Sequence, residues 1–229
     1  MKKLTICLSL LGSTIGASQA QAPIKAGTVL LGGGINYLNQ SEDTKQTVGN
    51  TTYMTNFSRD IFTFSPYLGY FVADNLAVGL NVSFASDKAK STSTPVFGTA
   101  PADPKAATAF RIGPFVQSYK MLTDQFGFTG TLGAGYQTQF QPARNSGSNN
   151  NLDYNTSGYY ASLTPGLIFL PIPRLGLGAS IGGLGYNRLT TKPDNAPAGY
   201  NAGDDTASSF GASFGLAQLT FSGTYFFGR

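Results

Sequence analysis

The chain has 229 residues, of which 11% are charged, 13% are aromatic and 29 are glycine, with a formal net charge of +4. That length suits one large all-β domain or two small ones, and the charge content falls well below the roughly one quarter expected of an ordinary soluble surface. The apolar and aromatic content excludes disorder, and the lack of any run of about 18 apolar residues beyond the N-terminus excludes membrane-spanning helices.

The N-terminus reads Met1-Lys2-Lys3, an apolar stretch from Leu4 to Ile15, then Gly16-Ala17-Ser18-Gln19-Ala20. A basic start, an apolar segment and small residues are the parts of a cleavable secretory signal, with Ser18 and Ala20 as the small pair before the scissile bond. Residues 1–20 are therefore expected to be a signal peptide and 21–229 a single barrel domain. The one cysteine, Cys7, leaves with the signal, so neither a disulfide nor a thiol mechanism is available to the mature chain. Without Lys2 and Lys3 the balance becomes 13 basic against 11 acidic residues, a net charge of +2. Those charges are scattered and not clustered on one face, which argues against nucleic-acid binding.

Alternation with period two runs through the rest of the chain. Gly27 to Leu38 sets Val29, Leu31, Ile35 and Tyr37 against Thr28, Gly32, Gly34 and Asn36. Asn39 to Asp60 then reads as a long polar loop. Phe62 to Val72 and Leu76 to Phe84 form the clearest pair, joined by a turn at Ala73-Asp74-Asn75. Their major faces are Phe62, Phe64, Pro66, Leu68, Tyr70, Val72 and Leu76, Val78, Leu80, Val82, Phe84. The minor faces are small or polar and carry no charge, with Phe71 beside the turn as the exception. Ala85 to Ala106, polar and interrupted by Pro95, Pro101 and Pro104, reads as a second long loop.

Ala107 to Tyr119 alternates Phe110, Ile112, Pro114 and Val116 with Arg111, Gly113, Phe115 and Gln117, and Lys120 to Gln125 is a short turn. Phe126 to Tyr136 follows, then a long connection from Thr138 to Thr156 that contains the Asn/Ser/Gly tract 145–151. Ser157 to Leu170 and Leu175 to Tyr186 flank the short turn Pro171–Arg174. A last long loop, Asn187 to Ser209, precedes a final strand carrying Leu219, Phe221, Gly223, Tyr225 and Phe227 against Thr220, Ser222 and Thr224.

Eight strands of about 9–11 residues, with a small or polar minor face that carries one charge, Arg111, and alternating long and short connections, match a transmembrane β-barrel with apolar side chains outward. The expected fold is all-β, an eight-stranded antiparallel transmembrane barrel with both termini on the periplasmic side. Pro66, Pro114 and Pro165 recur 48 and 51 residues apart, one per hairpin. Because proline cannot donate to a ladder, each is expected near a rim or a bulge.

The pieces Ser65–Gly79, Gly113–Tyr119 and Leu163–Gly166 resemble the small outer-membrane β-barrel domains of the OmpA/OmpX and OmpW-like type, over nearly the whole mature chain. The resemblance implies residence in the outer membrane, contact with its lipids and insertion by the barrel-assembly machinery. It departs from that type at the end, where Phe227 is followed by Gly228-Arg229.

Chemistry-bearing candidates are few. The chain holds no histidine, which removes a Ser–His arrangement and the commonest metal ligand. Asp194, Asp204 and Asp205 are weighed as oxygen ligands for Ca²⁺ against a solvated loop. Gly32-Gly33-Gly34 is weighed as a phosphate loop against close packing inside a narrow barrel. Tyr37, Phe84, Phe126, Tyr136, Phe169 and Tyr186 are read as an interface girdle in preference to a sugar platform. Arg111 is the one charge within a strand pattern and is expected near the rim with Asp60 or Asp103, the alternative being the lining of a solute path. No catalytic, cofactor or metal residue is assigned, and an extracellular ligand would engage the long loops. The expected role is an integral outer-membrane barrel with a structural, surface-interaction or limited small-solute function and no wide pore; a soluble lipocalin-like periplasmic carrier is the alternative. Mass spectrometry of the mature protein should find Gln21 at its N-terminus, and an uncut chain would overturn the signal assignment.

Overall fold

A computed structural model describes residues 23–48, 51–94, 105–143, 152–194 and 203–229. Residues 1–20 and the tract 145–151 lie outside them. Eight strands follow in chain order: β1 Val29–Val48, β2 Thr51–Ala73, β3 Leu76–Thr94, β4 Ala107–Met121, β5 Phe126–Gln141, β6 Asp153–Ile172, β7 Leu175–Asp194 and β8 Asp205–Phe227. Each pairs antiparallel with its sequence neighbour, and β8 returns to β1, closing the barrel in the order β1-β2-β3-β4-β5-β6-β7-β8.

The alternation expected from sequence sets the two faces of the wall. Leu68, Leu80 and Leu132 point outward with 55%, 58% and 57% of their surface exposed. Their neighbours Tyr67, Asn81 and Thr131 line the interior. Period two forces this outcome, since consecutive side chains leave opposite faces of a strand.

Four expected loops are corrected. Asn39–Val48 pairs residue for residue with Thr51–Asp60, so the first connection shrinks to residues 49–50. Likewise Ala85–Thr94, Thr138–Gln141, Asp153–Thr156, Asn187–Asp194 and Asp205–Ser209 belong to strands. The ladder needs only backbone groups, so it continues where both faces meet water and the apolar alternation has ended.

The short-turn end is sealed. Phe71, Tyr119 and Phe226 face inward there, with ring centroids 5.3 to 6.3 Å apart, and pack with Ile24, Leu30, Met121, Ile168 and Leu170 into the buried core. Ile24 is brought in by the segment before β1: Ile24 N–H donates to Asn75 Oδ1 and Asn75 N–H returns a bond to Ile24 O, both at 2.9 Å. Asn75 adopts φ +61°, a left-handed conformation that asparagine tolerates better than most residues.

The prolines follow a rule that differs from the expectation. Each stands seven residues before the end of its strand: Pro66 in β2, Pro114 in β4 and Pro165 in β6. Each pairs with the preceding strand, to Gly33, Leu80 and Gly130. The ladder to the following strand lapses beside it, between Phe64 and Tyr67, between Ile112 and Phe115, and between Leu163 and Gly166. Only the third is a bulge with a register shift. Pro66 and Pro114 sit in register within the wall, contrary to the expected rim or bulge, because losing one N–H leaves a local gap without requiring an extra residue.

The wall is weakest between its ends. β1 and β8 share five pairs, Val29↔Phe227 to Gly33↔Gly223. Farther up, β8 shifts against β7: Leu219 pairs with Ile181 but Phe214 with Gly182, so residues 215–218 bulge out of the ladder. Gly182 takes φ +103° there, and a Cβ on it would run into the backbone of Ser213, so glycine is required. Beyond Gly33 and Gly223 no pairing joins β1 and β8 among the described residues.

Replacing Phe71 by alanine should hollow the seal and cost about 3–5 kcal/mol, with Phe71→Leu costing less. Urea titrations of the barrel folded into lipid vesicles would measure both; a loss below about 1 kcal/mol for the alanine variant would show that this end is not a packed core.

Candidate functional site

Above the seal the interior opens into a cavity of about 750 Å³. Tyr67, Phe115 and Tyr119 form its floor, with Tyr67 edge-on to Phe115 at 5.9 Å. A short hydrogen bond between the Tyr67 and Thr224 hydroxyls joins β2 to β8 across the barrel. The walls are mostly hydroxyls and glycines, among them Thr63, Ser83, Thr129, Thr131, Ser162 and Thr220. Ser65 and Ser83 hydroxyls bond at 2.7 Å on the inner side of the gap beside Pro66. Residues from both unpaired edges, Gly34 to Asn36 on β1 and Gln218 to Ser222 on β8, also line the cavity.

Arg111 supplies the single charged side chain among the described lining residues. Its guanidinium lies over the Tyr160 ring, 5.3 Å from the centroid, within cation–π range. Tyr160 Oη donates to Asn81 Oδ1 at 3.3 Å, so this chain of contacts crosses from β4 through β6 to β3. Asp60 is not a partner of Arg111: it points outward and accepts from Tyr37 Oη at 3.1 Å and Asn39 Nδ2 at 2.7 Å. The expected rim pairing with Asp60 is thus corrected, and Asp103 lies outside the described residues. Parity decides this, since Asp60 is even-numbered on β2, on the same face as Phe62 and Phe64.

Gln137 stands directly across the ladder from Arg111. It is 1% exposed, and its Nε2 donates to Asn187 Oδ1 at 3.2 Å while its Oε1 is buried without a donor. Such an orphan costs about 1–3 kcal/mol. Sequence reasoning missed Gln137, Tyr160 and Asn187. The available signal for Gln137 and Tyr160 was a large polar or amphipathic residue on the inward parity of a strand otherwise lined with glycine and small hydroxyls; Asn187 carried none, because the parity of Leu177 and Ile181 puts it outward and only the shift near Gly182 turns it in.

The remaining candidates are dispersed. Asp204 pairs with Lys192 at 2.8 Å, while Asp194 and Asp205 fall at the end of β7 and the start of β8. Among the described residues no three metal-ligating side chains converge. Gly32 lies in β1, where a Cβ would come within 2.5 Å of the Tyr67 ring, so close packing accounts for it. Of the girdle residues, Tyr37, Phe84, Tyr136, Phe169 and Tyr186 are exposed on the outer face. Two aromatic levels result, Tyr70, Phe128, Phe169 and Tyr225 near the short turns and Tyr37, Phe84, Tyr136 and Tyr186 farther up. Tyr136 is eight residues beyond Phe128, about 26 Å of strand at ~3.3 Å per residue. A tilt of about 40° brings that to roughly 20 Å, close to the height of an outer-membrane apolar band.

Beyond the upper level ion pairs besides Lys192–Asp204 also clasp the strands. Arg59 grips Asp87 with Nε and Nη2 between β2 and β3. Lys105 Nζ reaches Asp153 Oδ2 at 2.7 Å, and Ala143 N–H donates to Asp153 Oδ1 at 2.8 Å, tying β4, β5 and β6 together. The Lys105 ammonium first, then the Ala143 amide, holds the Asp153 carboxyl below the usual range, and Asp153 in turn raises Lys105.

No family model matches the chain, and no curated protein resembles it at a significant level. Among solved structures, the crystal structure of the outer membrane protein OprG from Pseudomonas aeruginosa is similar at 16% identity, covering 92% of this chain and 100% of that chain with a TM-score of 0.49.

The clasp carries a pH dependence. A depressed carboxyl contributes stability that is present above its unfolded value and is lost as pH falls through the lower folded value; the raised Lys105 contributes below its own unfolded value and loses that contribution as pH rises through the folded one. The protection of the Ala143 amide, its exchange rate taken relative to that of an unstructured amide at the same pH, should therefore be high at neutral pH and fall below the ordinary carboxylate range near pH 4. Asp153→Asn should abolish that acid-driven change; an unchanged profile in the variant would remove Asp153 as its cause.

Proposed function

We propose that this chain is an integral outer-membrane barrel of the small OmpA/OmpX and OmpW-like type, with a structural, surface-interaction or limited small-solute role. The observation that carries this is the outer face. From Phe62 to Val72 on β2 and Val78 to Phe84 on β3, large apolar side chains stand exposed or half-exposed with no charge among them. A soluble carrier would place such residues inside and charges outside, so the lipocalin-like alternative is disfavoured. Lipid is the solvent this face fits, with aromatic levels at its two boundaries.

The lumen defines the kind of role. Its floor is sealed by the packing of Phe71, Tyr119 and Phe226, so it is a blind chamber and no wide pore. Short turns and both chain ends would face the periplasm and the long strand extensions the outside of the cell. Lipids of the outer membrane and the assembly machinery are the expected partners. No histidine is present to serve as a catalytic base.

Leu80 and Asn81 test the assignment of faces. Leu80→Arg places a charge in hydrocarbon and should cost on the order of 2–4 kcal/mol near the midplane, whereas Asn81→Arg meets a polar interior, with crowding of about 1–3 kcal/mol at most. Folding titrations into lipid vesicles should rank Leu80→Arg below Asn81→Arg, and the reverse order would return the soluble carrier. Planar-bilayer recordings of the unmodified protein should show little or no conductance; large stable open steps would contradict the sealed floor.

A further inference from the structure

Arg111 is in an unusual electrostatic position. It lines a chamber whose other described lining residues are neutral, and no described carboxylate lies within ion-pair distance of it. Its cross-strand neighbour Gln137 offers a buried acceptor, yet that oxygen has no donor. The guanidinium stands instead on the Tyr160 ring, which is fixed through Asn81. A cation–π contact uses none of the guanidinium N–H groups as hydrogen-bond donors, so they remain available to a planar partner.

We infer that the chamber binds a small organic monocarboxylate, seated fork-to-fork on Arg111. This rests on the barrel reading above and names the ligand class of its lumen. One fixed positive charge in a neutral enclosure balances one negative charge, and a carboxylate matches both donors of the guanidinium edge, which a single-point cation would not select. A volume of about 750 Å³ lies within the range of pockets that hold small organic molecules. The aromatic floor of Tyr67 and Phe115 accepts an apolar body, and the Thr129, Thr131 and Thr220 hydroxyls accept a hydrated or polar one. Arg188 on β7 points outward and is not among the residues lining the chamber, so it serves as the control for bulk charge.

The test uses the full barrel folded into neutral lipid vesicles, with insertion checked first by resistance of the strands to added protease. Ligand-observed NMR then follows benzoate, its neutral counterpart benzamide, and inorganic phosphate. Benzoate should bind saturably and at least tenfold more tightly than benzamide. Arg111→Gln should weaken it at least tenfold, Arg111→Lys less, and Arg188→Gln not at all. Phosphate should displace benzoate poorly. Equal binding of benzamide, full binding by Arg111→Gln, or no saturation in an inserted barrel would overturn the inference. Displacement by phosphate as effective as by unlabelled benzoate would replace the carboxylate class with a general anion site. Failure of the unmodified chain to insert would instead overturn the membrane-barrel reading itself.

Discussion

A wall one strand thick must satisfy its own backbone, and the rest of this structure follows from that requirement. In hydrocarbon each unpaired N–H or C=O costs several kcal/mol, so spanning strands have to close on themselves. Once they do, parity alone assigns every side chain to one of two solvents. Leu80 and Asn81 are adjacent in sequence yet face opposite sides of the wall. Only an irregularity can change the assignment. At the shift between Leu163 and Gly166, β7 spends one extra residue; Ser180 faces the lumen before it, and Leu184 and Tyr186 are exposed outside after it.

That logic explains which parts were legible in the sequence. Where one face is the exposed apolar wall and the other the lumen, composition alternates, and the major faces of Phe62–Val72, Leu76–Phe84 and the final strand could be read residue by residue. Past the upper aromatic level alternation vanishes, and Asn39–Asp60 reads as a loop although Asn39–Val48 and Thr51–Asp60 form a paired ribbon. The seal was visible only as a blemish, Phe71 on the polar face. Its partners Tyr119, Met121, Ile168, Leu170 and Phe226 share the same signature, an apolar residue on inward parity near a short turn or strand end, but only the closed ring shows that they meet. Contacts across the lumen were illegible for the same reason. Tyr160 reaches Asn81 from a strand three places away in the ring, and no local spacing encodes that.

The prolines show how the wall tolerates a missing donor. Their common position, seven residues before the strand end, puts all three gaps at a similar remove from the short turns, each toward the following strand. At Pro66 the Ser65 and Ser83 hydroxyls join the two strands on the lumen side, so a side-chain bond takes over part of what the ladder loses. At Pro165 the neighbouring strand yields instead, with an extra residue and the glycines at 182 and 183. The repeat in sequence thus records a repeated position in the wall, kept in register at Pro66 and Pro114 and resolved by an extra residue at Pro165.

The shortest ladder, between β1 and β8, raises the same question at larger scale. Its edges beyond Gly33 and Gly223 carry backbone groups without partners in each other, a state that lipid would not tolerate but water does. Those edges border the chamber, whose lining is rich in Ser and Thr. A polar, hydrated lumen is therefore a condition for the open seam, since dry apolar filling would strand those groups. The sealed floor adds the complementary restriction: water can occupy the chamber and solvate the seam without a continuous path to the other side. On this account the small polar residues facing inward sustain the wall, and Arg111 is the one lining residue whose charge goes beyond what solvating the seam requires.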